Sequence, residues 1–295
     1  MTQFLDVRIA PVGGGLAASV AIFQGTGIAN YEGMRPDDLR ASIQGRNVLI
    51  ATHGFNVDRE AGIACLSNWE GLLQLPQSSA FVGLLWPGDS VWAHGLDYPD
   101  EPKIADEAGA LIAQFIDENF ARAASISFAS HSLGARVVLA AISRMSLPVR
   151  RLALMAGAID DNCLTTEFQA AAAKIESISV LASKKDEVLS AAFPLGNFFA
   201  GIIAEGHPWW RAAVGHCGPA RPWPANFRAP FEISGNWKFE HGNYMQIDRP
   251  AAPSLPLPTE IPPEGSPLPL LNAAGFAVKG WQEAFSSAFV STRFR

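Results

Sequence analysis

Ser132 lies in the segment Ser130-His131-Ser132-Leu133-Gly134, at the point where a buried apolar run gives way to a helical pattern. A serine on a tight strand-to-helix turn projects its hydroxyl above the sheet and can attack a carbonyl carbon. Such a turn needs a small residue two positions before and two positions after the serine. Gly134 meets the second need, and Ser130 stands where glycine is usual. The pattern predicts that Ser132 is a nucleophile; the alternative is a Ser/Gly turn without chemistry.

The segment His53-Gly54-Phe55 follows a second buried apolar run. A serine nucleophile needs two backbone N–H groups that stabilise the oxyanion, one directly after the serine and one from the loop after an earlier strand. This rule assigns the N–H groups of Leu133 and Phe55, and Gly54 would let the backbone approach the substrate. Because His53 precedes the serine in the chain, it suits a loop-organising role better than that of the base.

Candidate acids follow predicted strands beyond the nucleophile. The chain order for this arrangement is serine, then Asp or Glu, then histidine. Asp186 comes shortly after the apolar run Ser177–Ala182, which places it at the same sheet edge as Ser132. Asp160 and Asp161 also follow a strand, and they remain alternative acids.

His241 is the favoured general base, because it follows a predicted last strand at Phe231–Ser234. His216 is the next candidate. His207 and His216 both fall in an irregular aromatic segment, where histidines usually serve as loop residues. His94 is disfavoured because it precedes the nucleophile.

Short apolar runs that alternate with helical patterns predict the scaffold that would hold these groups. Parallel strands covered on both faces have this nearly continuous apolar character. The predicted strands are Phe4–Ile9, Ala17–Phe23, Asn47–Thr52, Ala80–Trp86, Ser125–Ser130, Leu152–Ala156 and Ser177–Ala182, and the predicted helices are Lys103–Phe120 and Arg136–Met145. The fold class is therefore α/β, a mostly parallel sheet with an antiparallel N-terminal hairpin and helices on both faces.

Two regions depart from this alternation. Residues 190–231 are aromatic and rich in Gly and Pro, and they predict a cap-like insertion within a domain spanning residues 1–248. We expect Trp209 and Trp210 of this insertion to contact substrate. Residues 249–295 begin Pro-rich and predict a surface strap followed by a terminal helix.

These motifs together resemble the α/β-hydrolase superfamily, in particular its DUF900-like serine hydrolases related to lipases and esterases. The likeness spans about Asn47–Tyr244 and rests on His53-Gly54-Phe55, Leu85-Trp86-Pro87-Gly88-Asp89, Ser130-His131-Ser132-Leu133-Gly134, Ala158-Ile159-Asp160, Ser183-Lys184-Lys185-Asp186-Glu187-Val188-Leu189 and His241-Gly242-Asn243-Tyr244. The resemblance implies an α/β-hydrolase fold, a triad of Ser132, Asp186 and His241, and no cofactor, and it does not extend to the insertion at residues 190–231. It implies no particular substrate. We expect His53, Gly54 and His131 to lie against the substrate.

Composition excludes several other classes of function. The net charge of −6 over 295 residues argues against nucleic acid as a partner, which would require clustered Lys and Arg. No targeting segment or membrane span is predicted. Three cysteines without a framework spacing fit a reduced, cytoplasmic setting. His207, His216 and Cys217 lack the ligand spacing of a zinc site, so no metal is predicted.

The sequence therefore predicts a carboxylic ester hydrolase that forms an acyl-enzyme on a small-molecule ester with an apolar group. A thioesterase, an amidase or an acyltransferase would use the same groups. The alternative from another class is a catalytically idle hydrolase fold that serves as a binding module. The oligomeric state stays open.

Overall fold

The computed structural model describes residues 1–26, 30–73, 75–89, 101–191, 211–233 and 240–244. Its strands are β1 (Thr2–Arg8), β2 (Leu16–Thr26), β3 (Asn30–Gly33), β4 (Asn47–Thr52), β5 (Ser79–Leu85), β6 (Ser125–His131), β7 (Val149–Met155), β8 (Ile175–Ser183) and β9 (Phe227–Ile233). These strands form a single nine-stranded sheet in the order β3-β2-β1-β5-β4-β6-β7-β8-β9.

The amino-terminal edge of the sheet is antiparallel. β1 pairs with β2, and β2 with β3, in antiparallel register, so the predicted opening hairpin is confirmed. Sequence reasoning missed β3, because this four-residue strand is largely exposed and has no apolar alternation. On its other side β1 pairs with β5 in parallel, which joins the hairpin to the rest of the sheet.

The remaining strands, β4 to β9, all run parallel to one another. Their pairing aligns the carboxyl ends of the central strands: Thr52 at the end of β4 pairs with Ser130 in β6, and His131 pairs with Met155 in β7. The residues that follow these strands therefore emerge at one edge of the sheet. The fold is that of an α/β hydrolase, with a mostly parallel sheet as predicted.

Helices connect the parallel strands. They are α1 (Pro36–Ile43), α2 (Arg59–Leu72), α3 (Glu101–Asn119), α4 (Gly134–Arg144), α5 (Gln169–Ala173) and α6 (Val214–Cys217). Small residues bring α3 and α4 together, since a Cβ added to Gly109 would lie 2.7 Å from Ala140 Cβ. Helices α1 and α2 were not predicted from the sequence, although the acidic first turn after Pro36 and the Asp58 N-cap mark where they begin.

The seven predicted strands and the two predicted helices all occur, with ends within three residues of those observed. The last strand, predicted at Phe231–Ser234, also occurs, but it is longer at its amino end than predicted. β9 begins at Phe227, and Pro230 pairs with Val180. β9 lies at one end of the strand order, where the missing N–H of proline is tolerated.

Part of the predicted insertion and all of the predicted strap and terminal helix lie outside the described residues. These parts are residues 192–210, which include Trp209 and Trp210, and residues 249–295. Of the described part of the insertion, Ala213 bridges to Asp160. α6 packs so closely on the end of β7 that a Cβ on Gly215 would lie 2.2 Å from the carbonyl carbon of Ala156. No helix in the described ranges is long and apolar enough to span a bilayer.

Candidate active site

Ser132 occupies the turn between β6 and α4 with a backbone φ of 53°, a left-handed conformation that non-glycine residues rarely adopt. Neighbouring backbone groups hold it there. Its N–H donates to the carbonyl oxygen of Met155 at 3.0 Å, and its own carbonyl accepts from the N–H groups of Ala158 and Ala135, both at 3.1 Å. The turn raises the hydroxyl at the carboxyl edge of the sheet, and strain of this kind is common at functional sites.

Two glycines allow this turn to pack tightly against the end of β4. A Cβ on Gly134 would lie 2.4 Å from the carbonyl oxygen of His53. A Cβ on Gly54 would lie 2.6 Å from Ser132 Cβ and 3.1 Å from His131 Nδ1. The loop after β4 therefore contacts the elbow directly, and neither position has room for a side chain.

The structure brings Ser132, His241 and Asp186 into one hydrogen-bonded chain. The Nε2 of His241 lies 2.8 Å from the Oγ of Ser132, and its Nδ1 lies 2.7 Å from the Oδ2 of Asp186. Asp186 is fully buried, and its Oδ1 accepts the N–H of Leu189 at 2.9 Å. With Asp186 as a carboxylate, Nδ1 donates to it, and Nε2 is left to accept the serine hydroxyl proton.

The alternative acids lie elsewhere. Asp161 pairs with Arg211 at 2.9 Å, and Asp160 forms an isolated backbone bridge with Ala213. The alternative base His216 belongs to α6, whereas His207 and His94 lie outside the described residues.

The two proposed oxyanion donors flank the serine on separate elements. Leu133 is the N-cap of α4, and within the described part of the chain its N–H donates no hydrogen bond. Phe55 follows Gly54 and packs partly buried against the core. The next residue, Asn56, has a φ of 57° and donates its N–H to the carbonyl oxygen of Gly88 at 2.6 Å. The turn after β5 therefore holds the loop that carries Phe55.

His53 organises this loop from inside. Its ring is fully buried and stacks on Trp86, with ring centroids 6.0 Å apart. Nδ1 lies 2.9 Å from the carbonyl oxygen of Gly54, and Nε2 accepts the N–H of Trp86 at 3.4 Å. Burial lowers the pKa of His53 to about 4, so the ring is neutral at pH 7. The expected contact between His53 and substrate has no support in this geometry.

His131 is also buried, with 3% of its surface exposed, and it too presents no open face to a substrate. Its Nε2 lies 2.8 Å from the backbone carbonyl oxygen of His241. A substrate contact was expected of His131, whereas in the structure its ring joins the elbow to the turn that carries His241.

Sequence reasoning missed Arg8, whose side chain is fully buried at the end of β1. Its guanidinium donates to four backbone carbonyl oxygens, those of Ala10, Pro11, Val57 and Trp86, and forms an ion pair with Asp89. The other carboxylate oxygen of Asp89 accepts the N–H of Gly13 at 2.9 Å. This pair ties the opening hairpin to the loops after β4 and β5. The sequence feature that could have revealed this role is the single arginine within the predicted strand Phe4–Ile9.

A sequence model of the family described as an α/β hydrolase of unknown function, DUF900, matches residues 36–198, more than half of the chain. The chain belongs to this family. The match covers the elbow, the loop after β4 and Asp186, and it ends before His241. A comparison with curated proteins found no significant match.

Solved structures similar to this α/β hydrolase include esterase PE8, at 18% identity with a TM-score of 0.35, covering 52% of this chain and 80% of that one. Esterase B from Lactobacillus rhamnosis (HN001) is 10% identical with a TM-score of 0.38, covering 77% of this chain and 74% of that one. MenH from S. aureus is 12% identical with a TM-score of 0.35, covering 68% of this chain and 88% of that one.

Proposed function

We propose that this α/β hydrolase cleaves carboxylic esters through an acyl-enzyme formed on Ser132. One observation carries the proposal, the hydrogen-bonded chain from the Oγ of Ser132 through the ring of His241 to the buried carboxylate of Asp186. A nucleophile, a base and an acid in this relation are the groups that acyl transfer requires.

In the acylation half, His241 takes the proton of Ser132 on Nε2 while the serine oxygen attacks the ester carbonyl carbon. Asp186 holds the imidazole in the tautomer with hydrogen on Nδ1 and stabilises the imidazolium that forms. The tetrahedral intermediate collapses when His241 passes the proton to the leaving alcohol. Water then repeats the sequence against the acyl group and releases the acid.

The negative charge on the carbonyl oxygen would be stabilised by the N–H groups of Leu133 and Phe55. The Leu133 N–H stands at the first turn of α4, where the helix dipole also favours an anion. Gly54 supports this assignment, because its missing side chain lets the loop that carries Phe55 lie directly against Ser132. Thioesters, amides and acyl transfer to another acceptor would use the same groups, and the substrate screen below separates them.

The decisive experiment is labelling with a fluorophosphonate, which reacts with an activated serine. We expect the wild-type protein to be labelled on Ser132 and Ser132→Ala not to be labelled. Hydrolysis of p-nitrophenyl acetate should fall by ~10⁴-fold or more in Ser132→Ala while the circular dichroism spectrum stays unchanged. A matched control is Ser143→Ala, which removes a hydroxyl that bonds within α4 and should leave the activity unchanged.

Near wild-type turnover in Ser132→Ala would refute the proposal. Failure of the wild-type protein to react with the probe would instead support an idle hydrolase fold that binds a partner. Parallel assays on acetyl thioesters and p-nitroacetanilide would show whether the preferred bond is an ester, a thioester or an amide.

A further inference from the structure

His131 ends β6 and directly precedes Ser132, and its Nε2 lies 2.8 Å from the backbone carbonyl oxygen of His241. A carbonyl oxygen only accepts hydrogen bonds, so the hydrogen of the neutral ring is on Nε2 and Nδ1 carries a lone pair. Within the described part of the chain, Nδ1 is buried and has no hydrogen-bond partner.

This second imidazole is held neutral, although its centroid lies only 4.8 Å from that of His241. Burial, followed by the proximity of His241, lowers the pKa of His131 to about 3. A ring with so low a pKa is a poor base at pH 7, and it does not compete with His241 for the serine proton. Near neutral pH the ring therefore keeps its hydrogen on Nε2, and this N–H remains a hydrogen-bond donor.

The donor acts on the backbone of a short turn. His241 begins a 3₁₀ turn, His241–Asn243, and its ring bonds to Ser132 and Asp186. Those two bonds orient the ring, but both change during proton transfer. Among the described residues, the bond from His131 holds the main chain of this turn to the strand that leads into the nucleophile. The fully buried ring of Tyr244 packs beside it, 6.0 Å from the ring of His131.

We propose that His131 is a positioning residue for His241, holding its backbone carbonyl through Nε2–H and so setting the distance from the imidazole to Ser132. The inference rests on the proposed function. Strand β6 ends at His131 and leads directly into the turn at Ser132. The same strand therefore positions both the nucleophile and the main chain of the base, His241. A misplacement of the base by about 1 Å can cost ~10²-fold in rate, so this bond bears on kcat.

Three substitutions test the donor. The side-chain amide nitrogen of His131→Gln reaches about as far as Nε2 and can still donate to the carbonyl of His241. His131→Asn is too short to do so, and His131→Phe keeps a ring without a donor. We expect His131→Phe and His131→Asn to lower kcat for p-nitrophenyl acetate ~10–100-fold with KM within about twofold. We expect His131→Gln to stay within about fivefold of wild type. The rate of fluorophosphonate labelling should follow the same order.

His216→Gln and His216→Phe are matched controls, since this histidine lies on α6 and not on the elbow strand. Both should keep the wild-type kcat. Equal losses in His131→Gln and His131→Phe would overturn the inference, because the donor that His131→Gln retains would then make no difference to the rate. A wild-type kcat in His131→Phe or His131→Asn would overturn it as well. If Ser132→Ala remains active, the proposed function fails; if it is inactive while His131→Phe is active, only the positioning role fails.

A measurement on the wild-type protein guards against variants that do not fold. Nitrogen-15 spectra of the imidazoles should show His131 as the neutral tautomer with hydrogen on Nε2 from pH 5 to 8. A neutral tautomer with hydrogen on Nδ1 would overturn the inference, because Nε2 could then not donate to the carbonyl oxygen of His241.

Discussion

Gly54 approaches Ser132 so closely that a Cβ on Gly54 would lie 2.6 Å from the Cβ of Ser132. We expect Gly54→Ala to push the loop after β4 away from the serine and to displace the N–H of Phe55. The loss of one oxyanion donor typically costs ~10²–10³-fold in kcat, which steady-state kinetics on an ester would measure. The control is Gly71→Ala in α2, where an added Cβ has nothing within 4 Å. Gly71→Ala should keep full activity; an equal loss in both variants would contradict the argument.

Asp186→Asn should lower kcat by up to ~10⁴-fold, because an amide favours the imidazole tautomer that cannot accept the serine proton. Asp161→Asn is the matched control, since Asp161 pairs with Arg211 rather than with His241. Ester hydrolysis at pH 7 and 8 measures both variants. A larger loss in Asp161→Asn, or in Asp160→Asn, would assign the acid to the end of β7 instead.

Asp89→Asn should destabilise the fold, because it leaves the fully buried guanidinium of Arg8 without its carboxylate. Removing one partner of a buried ion pair typically costs about 3–5 kcal/mol of unfolding free energy. Urea unfolding followed by circular dichroism measures the change. Asp38→Asn is the control: its partner Arg35 has 79% of its side chain exposed, and little loss is expected. Similar losses in the two variants would show that the ion pair between Arg8 and Asp89 contributes no special stability to the fold.

The free energy of unfolding should fall as the pH is lowered from 7 to 5. Burial lowers the pKa of His53 to about 4 and that of His131 to about 3, while an unfolded histidine titrates near 6.5. Below that value the unfolded chain binds more protons than the folded one, so each ring contributes a loss of roughly 2 kcal/mol over this interval. Aspartate and glutamate side chains ordinarily titrate below pH 5, outside this interval.

Urea unfolding at several pH values tests this linkage. His131→Gln should weaken the pH dependence of the free energy of unfolding by the contribution of one histidine, whatever the effect of the substitution on stability at pH 7. An unchanged slope in that variant would mean that His131 has the same pKa in the folded and the unfolded protein.

Local sequence determined the elbow and much of the sheet of this α/β hydrolase. Ser130–Gly134 contains the end of the strand, the turn and the start of the helix, so its geometry depends on contiguous residues. The parallel strands could also be recognised in the sequence, because burial on both faces gives each of them a nearly continuous run of apolar residues. The short exposed β3 and the edge strand β9, with Pro230 inside it, lacked that signal.

The tertiary structure decided which distant residues meet. His241 lies 109 positions from Ser132 and 55 from Asp186, and chain order alone left Asp160, Asp161 and His216 open. Only the packing shows that Arg8 is the buried partner of Asp89 and that His131 donates to the main chain of His241. Such roles depend on what surrounds a side chain in space, and neither residue type nor spacing along the chain encodes those surroundings.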